Sequence, residues 1–187
     1  MESIKPCFLF IFTKPFFFFR IYLIGGRGSG NERLNEIVVL DENLNSERIE
    51  LSPINERMCG CALGETLLFG FGRKENGNFS NEIIIYHLQN NSFTPYNFQV
   101  ARSSASSVNT LNKCYLIGGI DELSNPLTNF EIFDKVESRW KEGPPLKIAK
   151  SMPSSISINF QNESYILVFG GKKDEKNYLR KIKKMEN

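Results

Sequence analysis

Four apolar runs ending at glycine divide the chain into near-equal parts: Ile21-Tyr-Leu-Ile-Gly-Gly26, Leu67-Leu-Phe-Gly-Phe-Gly72, Tyr115-Leu-Ile-Gly-Gly119 and Tyr165-Ile-Leu-Val-Phe-Gly-Gly171. Their last glycines stand 46, 47 and 52 residues apart. A period of this size marks propellers and solenoids, in which no single repeat can bury its own apolar face. The repeat thus constrains the fold before any single residue is weighed. It also moves the functional question from catalysis toward binding.

Within a repeat the pattern is that of short strands. A small-residue run comes first, Met58-Cys-Gly-Cys-Ala-Leu63 or Ser104-Ala-Ser-Ser-Val-Asn109, suited to a strand near a crowded axis. The glycine-terminated strand follows, then a polar loop such as Arg73–Ser80. Another apolar strand comes next, Asn81–Leu88 or Asn129–Asp134. Asn90-Asn-Ser92 and Lys135–Ser138 read as hairpin turns, and a last strand runs through Phe93 or Trp140. Four short strands per unit without helical periodicity describe a propeller blade.

These residues resemble the kelch repeat, with a double glycine after an apolar strand and two aromatic positions at constant offsets. The last glycine precedes Leu40, Tyr86 and Phe133 by 14 residues in each case, and Tyr86 to Phe93 and Phe133 to Trp140 are both steps of 7. The resemblance covers about residues 20 to 184 and implies an all-β propeller with blades of four antiparallel strands. Repeat one has Leu40 at the aromatic position, and repeat two has Phe71 in place of its first glycine. We therefore expect an apolar low-complexity segment over 1–19 and repeats over 20–52 (partial), 53–98, 99–143 and 144–187 (partial). Such an array makes an incomplete or open propeller, short of the five to seven blades that the resemblance implies for a closed ring, so further kelch repeats are expected from sequence outside these residues or from another chain.

The recurrent residues are expected to hold the fold. Gly25, Gly26, Gly72, Gly118, Gly119, Gly170 and Gly171 end strands at sharp turns, where glycine alone takes positive φ without cost. Tyr86, Phe93, Phe133 and Trp140 are expected to pack in and between blades, since each aromatic buries a large area.

Composition excludes several functions. With 23 Lys+Arg against 21 Asp+Glu, nothing draws the chain to nucleic acid or to a membrane. The apolar start is broken by Lys14, Pro15 and Arg20, so it does not supply the roughly 20 uncharged apolar residues of a spanning helix, and no small-x-small site follows it. The spacing of Cys7, Cys59, Cys61 and Cys114 points to no disulfide framework, so a reduced, cytoplasmic protein is expected. The sequons at Asn78, Asn90 and Asn162 read as chance in so asparagine-rich a chain.

No catalytic set emerges either. One histidine, His87, supplies neither a Ser-His-acid triad nor, with Cys59 and Cys61, a convincing metal site. Gly25-Gly-Arg-Gly-Ser-Gly30 fits no phosphate-loop pattern and opens no helix. No cofactor, metal or enzymatic activity is therefore expected. Transferring the kelch rim position by position, the loops after the glycines give Arg27, Arg73 and Asp121, and those before the small-residue strands give Arg57, Arg102 and Lys150. Five cations on one rim suit an acidic peptide, because arginine binds carboxylates in a bidentate fork. The expected function is a protein-interaction or scaffold module with a protein partner. The other reading is a truncated kelch fragment without independent activity.

Overall fold

The computed structural model describes residues 8–13, 19–26, 29–30, 32–51, 54–161, 163–173 and 183–186. All regular elements among them are strands, arranged in four antiparallel sheets. The first sheet contains β1 (Phe8–Thr13), β2 (Phe19–Ile24), β3 (Glu36–Leu40) and β4 (Ser46–Glu50) in sequential order. The second contains β5 (Cys59–Leu63), β6 (Thr66–Gly70), β7 (Glu82–His87) and β8 (Ser92–Asn97). The third contains β9 (Ser106–Asn109), β10 (Lys113–Ile117), β11 (Phe130–Asp134) and β12 (Arg139–Glu142). The last contains β13 (Ser154–Phe160), β14 (Glu163–Phe169) and β15 (Lys183–Glu186). Each sheet is one blade, and none closes into a barrel.

The offset of 14 residues is a strand register. In every blade the residue 14 positions after the last glycine pairs with the residue five positions before it: Ile21 with Leu40, Leu67 with Tyr86, Cys114 with Phe133, Ile166 with Met185. A slip of one residue would turn each apolar set to the opposite face, so the register is strongly selected. The first strands β1, β5, β9 and β13 lie side by side in that order. Small residues permit this approach, and hydroxyls satisfy the polar groups between them. Gly60 N donates to Ser107 Oγ at 3.0 Å, Ser155 Oγ donates to the Ser107 carbonyl at 3.2 Å, and Ser157 Oγ to the Asn109 carbonyl at 2.8 Å. The serine-rich runs thus join blades.

The core consists of three inter-blade layers. Each blade turns a forward face to the next one and a rear face to the one before. Tyr22, Ile24, Ile37 and Val39 of the first blade meet Ala62, Leu67, Phe69 and Tyr86 of the second. Cys61, Leu63, Leu68 and Ile83 of the second meet Cys114, Leu116 and Phe133 of the third. Tyr115, Ile117 and Phe130 of the third meet Ile166 and Val168 of the last. Burial on both faces explains why the second strand of each repeat reads as a continuous apolar run.

Two expectations change. The first repeat, read as partial from residue 20, is a four-stranded sheet, because Phe8–Thr13 pairs along its length with Phe19–Ile24. Its apolar residues lack the small-residue signature of β5 and β9, which hid it as a strand. The cysteines also differ: Cys61 and Cys114 form a disulfide, with their Cα atoms 6.3 Å apart and a sequence separation of 53. Spacing along the chain conceals this pair because the repeat brings β5 and β10 of consecutive blades face to face.

Cys59, two residues from Cys61 on β5, is a free and buried thiol, and burial pushes its pKa up to about 12. The thiolate is the reactive form. Cys59 is therefore expected to resist a disulfide-exchange reagent at pH 8 in the native protein and to react fully in denaturant. Fast native-state labelling at Cys59 would contradict its burial.

Candidate functional site

The loops before the first strands and those after the glycines interlock in the same way three times. Isolated backbone pairings join Glu56 to Arg73, Ser103 to Ile120, and Ser151 to Lys172. These pairings bring backbone against the last glycine. A Cβ at Gly72 would lie 2.3 Å from the Glu56 carbonyl oxygen, and one at Gly119 2.8 Å from that of Ser103. Only glycine fits so close an approach at φ of +82° and +110°. The residue before it is left-handed too, at φ 57° in Phe71 and 64° in Gly118. Phe71 accepts a conformation that costs roughly 1–3 kcal/mol in a non-glycine residue. Its buried ring is in return sandwiched near Arg102 and Phe98, at 4.2 and 5.1 Å.

The loop before each first strand carries a clamp. Asn55 Nδ2 donates to the Phe71 carbonyl at 2.7 Å, Arg102 Nη1 to that of Gly118 at 3.4 Å, and Lys150 Nζ to that of Gly170 at 2.9 Å. The backbone carbonyls of Arg102 and Lys150 meanwhile accept from Gly72 N and Gly119 N of the preceding blade, at 2.8 and 2.9 Å. Each of these two residues therefore holds its own blade through the side chain and the one before through its backbone carbonyl. Arg102 is 0% exposed and Lys150 4%. Arg102 also forms a buried ion pair with Glu131 on β11.

These facts redraw the expected rim. Arg57 does not correspond to Arg102 and Lys150, as the sequence spacing implies. Its structural equivalents are Ser104 and Met152, and all three are left-handed, at φ 52°, 57° and 48°. Burial takes Arg102 and Lys150 out of the exposed surface. Asp121 is held by its own loop: its carboxylate accepts from Leu123 N, Asn125 N and Asn125 Nδ2 at 2.8–3.0 Å. The Asn125 side chain lowers its pKa below the usual carboxylate value of 3.8. The same Asp-Glu-x-x-Asn turn recurs at Asp41, which accepts from Asn43 and Asn45. Arg27 lies outside the described residues. Arg57 and Arg73 remain exposed, on the two segments joined by the Glu56–Arg73 pairing. Arg73 Nε donates to the Gly77 carbonyl at 3.2 Å, and Arg33 pairs with Glu56 at 3.3 Å.

Trp140 fills the boundary between the second and third blades, with its ring 5.0 Å from Phe98 and 5.1 Å from Phe133. Phe93, its counterpart one blade earlier, stacks on Tyr86 at 4.5 Å but stays 44% exposed. The reason lies in the facing residue. Leu51 N bonds to the Asn35 carbonyl as Phe98 N bonds to that of Asn81, so Leu51 occupies the place of Phe98 one blade earlier. Leucine and phenylalanine fill less space than phenylalanine and tryptophan. A cleft of about 300 Å³ remains, with Leu51, Ile54, Met58, Phe69, Ile84 and Phe93 as its apolar wall and Glu50, Asn55 and Glu82 as its polar side. It adjoins a polar cleft of about 550 Å³ that includes Asn55, Lys74 and Asn81. Sequence reading missed this site; the signal available was Leu51 standing where Phe98 stands in the next repeat.

Among the described residues no three His, Cys, Asp or Glu side chains gather as for a metal ion, and Cys61, one of the ligands weighed from the sequence, is bonded to Cys114. Nor is any helix among them long and apolar enough to cross a membrane.

Antiparallel blades with one register, three of them four-stranded and the last three-stranded among the described residues, interlocked through glycine-ended loops, define a repeat-array protein of the propeller class. The family model of the kelch motif matches residues 101–147, the span that holds the third blade. Over that span the match bears out the kelch resemblance, and the other sheets share the all-β, antiparallel blade architecture that is consistent with it. No curated protein matches the chain.

Proposed function

We propose that this chain is a non-catalytic protein-interaction module that takes an extended segment of a partner protein into the cleft between its first two blades. The observation that carries the reading is the unfilled apolar space beside Phe93, at a boundary whose neighbour is filled by Phe98 and Trp140. An apolar partner side chain would seat against Phe69, Ile84 and Phe93. Glu50 and Glu82 line the cleft itself, so acidic partner residues would lie outside it, toward the exposed Arg57 and Arg73 next to Asn55 and Lys74. Kelch motifs serve as interaction repeats, which agrees with this use of the surface.

The test is peptide selection from a random library on the purified chain, followed by affinity measurement. Selected peptides should share an apolar residue flanked by acidic ones. Leu51→Phe, which refills the cleft as Phe98 does, should weaken them at least tenfold without lowering the melting temperature. Arg57→Glu with Arg73→Glu should do the same. No enrichment, or binding unchanged by Leu51→Phe, would remove the proposal.

Placement in the cytoplasm belongs to the same reading and is opposed by one feature, the Cys61–Cys114 bridge, since cytosolic disulfides are rare. Thiol counting on protein from its native source decides it.

A further inference from the structure

Three third strands carry a glutamate on their rear face: Glu36 on β3, Glu82 on β7 and Glu131 on β11. Two of these carboxylates hold an arginine of the chain. Arg48 Nη1 donates to both oxygens of Glu36, at 2.8 and 3.0 Å, and Glu131 is ion-paired with Arg102. Glu82 opens β7 as Glu36 opens β3, but its cation is missing. Arg48 faces Val38 across the first blade, and at the equivalent place in the second blade Pro95 faces Ile84. Lys74 lines the adjoining polar cleft yet makes no ion pair with Glu82. Among the described residues the Glu82 carboxylate thus has no side-chain partner. Its backbone is fixed all the same: Glu82 N donates to Ser80 Oγ at 3.2 Å, and its carbonyl accepts from Phe71 N at 2.6 Å. The residue is half-buried and lines both clefts.

We infer that Glu82 selects an arginine of the partner segment, two positions from the apolar residue that seats against Phe69, Ile84 and Phe93. This rests on the reading of the cleft as a peptide site and adds the charge that the site recognises. The spacing follows from β7. Glu82 and Ile84 are alternate residues of one strand, so their side chains leave the same face about 7 Å apart, and an extended segment laid along β7 repeats that step. The choice of arginine follows from the chain's own use of it at the two other carboxylates. Arg102 lies against an apolar boundary with its guanidinium 4.2 Å from the centre of the Phe71 ring. A planar, weakly hydrated guanidinium suits such a place better than a compact ammonium. Ile84 and Phe93 offer a comparable apolar surface to the stem of the incoming side chain.

The test uses the full chain and a peptide from the library selection, made once with arginine and once with citrulline, its neutral counterpart. Titration calorimetry should show the wild-type chain binding the arginine peptide about tenfold more tightly. Glu82→Gln should bind the two peptides alike and melt as the wild type does, because no described side chain depends on that carboxylate. Glu82→Arg should reverse the preference, toward a peptide with glutamate at the same position. Leu51→Phe should weaken the arginine and citrulline peptides by the same factor, which separates the cleft from the charge. Selected peptides that share no arginine, yet are weakened by Leu51→Phe, overturn this inference and leave the peptide site standing. An arginine preference that survives Glu82→Gln overturns it in the same way. No enrichment from the library removes both.

Discussion

Replacing Arg102 with methionine is expected to lower the melting temperature by on the order of 10 °C. Its guanidinium is fully buried, ion-paired with Glu131 and 4.2 Å from the centre of the Phe71 ring. Methionine retains much of the volume but leaves the Glu131 carboxylate, itself 6% exposed, without its cation. Breaking a buried pair from one side costs about 3–5 kcal/mol, because an uncompensated charge stays in a low-dielectric interior. In a domain of this size each kcal/mol moves the transition by about 2–4 °C. The companion variant Arg102→Met with Glu131→Leu removes both charges and should recover most of the loss. Calorimetry on the single and double variants measures this directly. A single variant within about 1 °C of wild type would show that Arg102 is not the latch between the second and third blades.

Removing the Cys61–Cys114 bridge should cost about as much, by a different route. The bridge closes a loop of 53 residues. Chain entropy then assigns it about 4 kcal/mol, because the unfolded ensemble loses the freedom to separate these ends. Cys61→Ala with Cys114→Ala should therefore unfold at markedly lower guanidinium concentration than the oxidised wild type. Adding reductant during unfolding should abolish most of that difference, since both chains then start from equally free unfolded states. Peptide mapping without reduction should recover the two cysteines as one linked fragment. Finding both alkylated in protein prepared under air would contradict the bridge.

The residues behind these two predictions were legible to different degrees. The constant offset from glycine to Leu40, Tyr86 and Phe133 is visible in the sequence because it is the pairing register of β2 with β3, β6 with β7, and β10 with β11. The serine runs and glycines likewise announce crowded strands and close loop approaches. Arg102 was read as a rim cation beside Arg57. Backbone pairing in the loop shifts the equivalence by two residues and turns its side chain inward to Gly118 and Glu131. The chain cannot signal that shift locally, because an arginine before a small-residue strand looks the same whether it faces water or a carboxylate.

By itself the sequence determined the all-β class, the repeat, the strand order within each blade and the pairing of its second and third strands. Those properties depend on apolar periodicity and turn residues a few positions apart, which one repeat contains in full. Only the tertiary structure decided which cation is buried, that Cys61 meets Cys114, and that Phe8–Thr13 completes the first blade. It alone also showed that Leu51 and Phe93 leave a cleft at the boundary equivalent to the one where Phe98 and Trp140 pack ring to ring. These outcomes depend on side-chain volume and charge contributed by separate repeats to one interface, some fifty residues apart in the chain and a few ångströms apart in space.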